Sequence, residues 1–149
     1  MKFCVITSSD AIHAQIEKMT NPLAPERVPT GKVKIIVCPL TEQTSEALNL
    51  FSHGKERTGQ DDYKKPAKSY LCNILLTGYY KAWQKMPSET RSKELQELRN
   101  ICSMIRDDMR RAVGQNVGSH KVTKRLMFSA ILHRLAITQD LKTFFEKTL

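Results

Sequence analysis

The chain has 149 residues, 40% of them hydrophobic and 26% charged, enough apolar material for one core and too balanced a composition for a disordered or fibrous chain. Lysine and arginine number 24 against 15 acids, so the net charge is +9 and the pI about 9.5. That bias concerns partners rather than fold, and it places nucleic acid first, with an anionic membrane surface or an acidic protein behind it.

The chain opens with Met1-Lys-Phe-Cys-Val-Ile-Thr, whose apolar run is too short for a signal peptide, and no stretch approaches the length needed to span a bilayer. A cytoplasmic or nuclear setting is expected. Lys2 to Thr7 is rich in β-branched and aromatic residues and reads as a strand, with Ser8, Ser9 and Asp10 available to cap a helix carrying Ile12, Ile16 and Met19. Three prolines and a glycine then require a loop.

Lys32 to Leu40 contains a nearly continuous apolar run, Val33, Ile35, Ile36 and Val37, suited to a buried strand. Thr41 is placed to cap a short helix through Ala47, Leu48 and Phe51, ending near Gly54. The resulting β-α-β-α order suggests two parallel strands joined by a crossover helix. Residues 52–68 are almost wholly polar and read as an exposed connection. Gly54, Lys55 and Gly59 lack the Gly-Lys-Ser/Thr closure of a phosphate loop.

Helices account for the rest. One runs from about Ala67 to Trp83 with Leu71, Ile74, Leu75, Tyr79 and Trp83 on its apolar face, and a second runs from Ser88, after Pro87, to Val113. Two more segments, Lys121 to Ile137 and Thr138 to Lys147, form a helix pair or one bent helix. The fold class is therefore α+β: a small N-terminal β-α-β-α portion over residues 1–54, an exposed loop, and a mainly helical bundle from residue 69, all in a single domain.

In the Ser88 helix, Leu95, Leu98, Cys102, Ile105, Met109 and Ala112 repeat at heptad spacing, with Arg99 flanking the seam. Self-association through Leu95, Leu98, Arg99, Cys102, Ile105 and Met109 is one reading. Ile101 broadens the stripe toward the wide face of a helix packed in its own core, which is the other and the favoured one.

The cysteines, Cys4, Cys38, Cys72 and Cys102, each lie in an apolar run about thirty residues from the next. They fit small core side chains in a reducing compartment, and that spacing supports neither a zinc site nor a disulfide scaffold. His13, His53, His120 and His133 form no HxH or HExxH pattern, and Asp61 with Asp62 suits a solvated loop better than a metal nuclease. No enzymatic activity, metal or cofactor is expected.

The charge is local. Residues 1–60 hold 7 basic and 6 acidic groups, whereas residues 61–149 hold 17 and 9. Acids are absent from Tyr63 to Ser88 and from Met109 to Gln139, and like charges left without acids make sense where an anion relieves them. The expected nucleic-acid contacts are Lys64, Lys65, Lys68, Arg110, Arg111, His120, Lys121, Lys124 and Arg125, with Ser119 as an N-cap that would present free N–H groups to a phosphate. The two helices around GQNVGSH approach a helix-turn-helix, although the connection is about twice the usual length. Tyr79 and Trp83 fall on the apolar face of their helix and read as core, which leaves Tyr63 and Tyr80 as the better candidates for exposed platforms, with stacking the less favoured role for these aromatics. The function expected is a non-catalytic, self-associating protein that binds RNA or DNA through phosphates; the alternative is an assembly or adaptor protein of viral matrix-like or accessory type.

Overall fold

A computed structural model of the chain describes residues 2–26, 28, 30–52, 67–113 and 124–148. In chain order the elements are β1 (Lys2–Ser9), α1 (Asp10–Thr20), β2 (Val33–Leu40), α2 (Glu42–Asn49), α3 (Lys68–Lys85), α4 (Ser88–Val113), α5 (Lys124–Thr138) and α6 (Leu141–Thr148). The α+β class is as expected, a two-stranded sheet followed by helices.

The strands pair antiparallel, with Lys2 opposite Leu40 and Ser9 opposite Val33, which corrects the parallel arrangement read from the β-α-β-α order. The reason lies at Asp10. Its N–H donates to Lys32 O (3.0 Å) and its carboxylate accepts from Thr30 N–H (3.0 Å), so the proline-rich loop that follows α1 is brought back beside the end of β1. Gly31, at φ 75, takes the left-handed conformation that this return requires. Ser9 occupies the N-cap position of α1 without a side-chain cap bond. Thr41 does cap α2, its hydroxyl accepting from Thr44 N–H (3.3 Å).

One face of the sheet, carrying Cys4, Ile6, Cys38 and Leu40, lies on the core; β1 meets α3 and β2 meets α5. The other face does not. Val33, Ile35 and Val37 are exposed, so β2 is half-buried rather than the fully buried strand its composition suggested. Such a run is compatible with either environment, and only the helices on one side decide between them.

α5 is the central element. From Leu126 to His133 every residue is buried, and the helix contacts β2, α1, α2, α3 and α4. A helix buried on all sides over this span is a core helix, and its basic residues, Lys124, Arg125 and Arg134, lie only toward its two ends. α4 lies along it, burying Leu98, Ile101, Cys102, Ile105 and Met109, with Leu95 half-buried. The heptad stripe is thus the chain's own core face. Self-association through Leu95, Leu98, Cys102, Ile105 and Met109 would require α4 to leave α5, and only Arg99 of that group is exposed. α3 ends where Arg91 donates to Trp83 O (2.9 Å) and Gln84 O (2.6 Å), satisfying terminal carbonyls across the Pro87 turn. α6 closes the bundle with Phe145 against Phe51, centroids 5.0 Å apart.

All four cysteines are buried free thiols, as their apolar settings predicted. Burial pushes Cys38 up to about 12 and Cys102 up to about 11, which leaves both protonated and inert. Among the described residues no helix is long and apolar enough to cross a membrane.

Candidate nucleic-acid interface

Of the nine expected contact residues, Lys64, Lys65, His120 and Lys121 lie outside the described residues, as do Tyr63, Asp61, Asp62, Ser119 and the GQNVGSH connection. Lys68 opens α3, Arg110 and Arg111 sit in the last turn of α4, and Lys124 and Arg125 open α5. Glu94 near the start of α4 holds Arg134 near the end of α5 (2.6 Å). The two helices are therefore antiparallel, and the four basic groups share one end of the pair.

Their charge is less free than the acid-free stretch implied. Arg110 lies 3.7 Å from Asp107, Arg111 lies 3.1 Å from Asp108, and Lys124 lies 4.0 Å from Glu17 of α1. Two of these acids sit one helical turn back, just outside the Met109 to Gln139 window, and the third arrives from a distant element. Arg125 stands over the Phe3 ring, 5.7 Å from its centroid. Pairs this exposed contribute little to stability, yet they cut the local field available to an anion.

α3 is different. It contains Lys68, Lys81 and Lys85 and no acid, and among the described residues none of the three has an ion-pair partner. Tyr70, Thr77 and Lys81 follow one another at helical spacing on its outer side, with Lys85 a turn beyond, and Tyr70 is 55% exposed. Tyr79 is buried as expected; Trp83 and the anticipated platform Tyr80 are half-buried against the core. Tyr70 is thus the exposed aromatic of this helix. Its position on the helical wheel, about half a turn round from the buried Tyr79, is the available signal. Lys68 also reaches the sheet, where its charge joins the Cys72 hydrogen bond in lowering the Cys4 thiol against the effect of burial.

Several cavities border these helices. A cleft of about 750 Å³ is lined by Lys2, Arg111, His133 and Thr41 together with Glu42 and Asp108. Two cations face two carboxylates there, so it offers an anion no net attraction. A smaller cavity of about 410 Å³ has Tyr79, Glu94 and Arg134 in its wall, where the Tyr79 hydroxyl donates to Glu94. Among the described residues no group of three His, Cys, Asp or Glu side chains could hold a metal ion.

The two described histidines are structural. His13 stacks at a tilt on Phe128 (5.1 Å), and His133 Nδ1 is 2.7 Å from the Thr41 hydroxyl. Burial lowers both imidazole pKa values, and at His13 the charges of Lys124 and Lys34 lower it further while Asp10 opposes them. Both rings stay neutral in the fold below the ordinary value of about 6.5, whereas the unfolded chain protonates them. The unfolded state then binds more protons, so stability should fall as pH drops below about 6.5. Urea midpoints at pH 7.5 and 5.5 should differ in the wild type, and the difference should shrink in His13→Gln/His133→Gln. An equal drop in the double variant would contradict this assignment.

No protein-family model, curated protein or solved structure matches this chain.

Proposed function

We propose that the chain is a non-catalytic nucleic-acid-binding protein that holds a single strand of RNA or DNA chiefly through its phosphates. The observation that supports this reading most directly is α3, whose Lys68, Lys81 and Lys85 have no acid on their own helix and no ion-pair partner among the described residues. Tyr70 offers an exposed ring on the same helix, and stacking on such a ring is indifferent to base identity. Arg125 and the arginines closing α4 extend the contact, with weaker pull because Asp107 and Asp108 lie beside Arg110 and Arg111.

The test is binding of a fluorescein-labelled oligouridylate, followed by anisotropy across a salt series. Each neutralised phosphate contributes about −0.7 to the log–log salt slope for single strands, so Lys68→Glu/Lys81→Glu/Lys85→Glu should make the slope shallower by about 2. Arg110→Glu/Arg111→Glu/Lys124→Glu should change it less. Absence of binding at low ionic strength, or a slope unchanged by the α3 reversal, overturns the proposal. Flotation with phosphatidylserine vesicles in place of oligonucleotide binding would shift the function to an anionic membrane surface.

A further inference from the structure

The outer edge of β2 is open. In this antiparallel ladder Asp10 N–H bonds to Lys32 O, while Thr7 turns its N–H to Ser69 Oγ (2.8 Å) and its carbonyl to Asn73 Nδ2 (2.8 Å), away from β2. Thr7 opposite Ile35 is therefore a non-hydrogen-bonded pair, as are Val5 opposite Val37 and Ser9 opposite Val33. In such pairs both residues direct their main-chain groups outward. On β1, Thr7 has both of its outward groups answered by α3. Val33, Ile35 and Val37 point their N–H and carbonyl groups to the other side, where no hydrogen bond meets them among the described residues. Pro39, the next outward position, has no N–H and ends the usable edge.

The side chains along this edge alternate in chemistry. Val33 (64% exposed), Ile35 (70%) and Val37 (42%) continue an outer apolar face begun by Phe3 (47%) and Val5 (53%). Lys32 and Lys34 fall on the opposite face at the rim of the core, both exposed, and neither has a carboxylate at ion-pair distance among the described residues. The Lys34 charge does act on Asp10, but that carboxylate is held by Thr30.

We infer that this edge accepts an extended peptide of another protein as a third strand, one that alternates apolar and acidic residues. Main-chain hydrogen bonds to Val33, Ile35 and Val37 would supply the pairing, apolar side chains would extend the Phe3 and Val5 face, and acids would meet Lys32 and Lys34. Charge selects against a second copy of the chain. The antiparallel register that uses all three outward residues sets Ile35 against its own counterpart and places the two Lys34 side chains diagonally across the junction. Each copy also carries +9. The inference stands on a different surface from the α3 lysines and does not depend on nucleic-acid binding.

The experiment titrates the full chain with two capped peptides, one alternating valine and glutamate and one alternating valine and lysine, and reads anisotropy together with amide exchange at Val33, Ile35 and Val37. The glutamate peptide should bind at least about tenfold more tightly than the lysine peptide and slow exchange at those three amides. Lys32→Glu/Lys34→Glu should invert the preference. Ile35→Pro, which removes an outward donor that the fold does not use, should abolish binding while leaving the circular dichroism unchanged. Equal binding of both peptides, a preference that survives the double reversal, or no protection at millimolar peptide overturns the inference. So does concentration-dependent protection with dimer sedimentation in the absence of peptide, which would make a second copy the occupant.

Discussion

Phe128→Ala should destabilise the protein by about 3–5 kcal/mol, a large share of the roughly 5–15 kcal/mol available to a domain. Phe128 is fully buried on α5, its ring against His13 of α1 at 5.1 Å. Because α5 contacts the sheet and four other helices, truncation there leaves a void that cannot close by shifting one neighbour. Phe128→Leu should recover most of the loss. Urea denaturation followed by far-UV circular dichroism measures both, and a cost below about 1 kcal/mol for the alanine variant would show that α5 is not the packing centre.

Removing the Glu94 carboxylate should cost about 2–4 kcal/mol, because it strands Arg134 and takes the acceptor from the Tyr79 hydroxyl in one step. The Glu94 and Arg134 side chains are only 16% and 25% exposed, so water replaces the lost partner incompletely. Burial alone would raise the Glu94 carboxyl, but the hydrogen bonds from Arg134 and Tyr79 outweigh it and hold the group below its ordinary value. A depressed carboxyl stabilises the fold above its unfolded value of about 4.3, and that contribution is lost as pH falls through the lower folded value. Glu94→Ala should therefore be most damaging near neutrality and converge on wild type in acid. The double variant Glu94→Met/Arg134→Met should be less destabilised than Glu94→Ala, since the uncompensated charge goes with its partner. Equal losses in the two variants would place the cost in packing instead of charge.

Much of the local structure was legible. The span Ser88–Val113, the Thr41 cap, the burial of all four cysteines and the strand and helix order follow from apolar spacing, cap chemistry and proline placement, which act within a few residues. The candidate site was legible only in part. Lysine enrichment without acids locates α3, yet the sequence alone points to Tyr80 over Tyr70 and shows no acid within the window around Arg110, Arg111 and Lys124, although Asp107, Asp108 and Glu17 lie beside them. A window along the chain cannot see an acid one turn beyond its edge or on another helix.

By itself the sequence determined the charge excess of residues 61–149, the positions of the main breaks and the existence of an apolar stripe on α4. The tertiary structure decided what that stripe faces, that β1 and β2 run antiparallel because Asp10 recovers the end of the proline loop, and that Val33, Ile35 and Val37 remain outside. The physical reason is common to all three. Periodicity specifies that a face is apolar, but which face is covered depends on where distant segments return, and here α5 occupies the centre while β2 is left with one open side and one open edge.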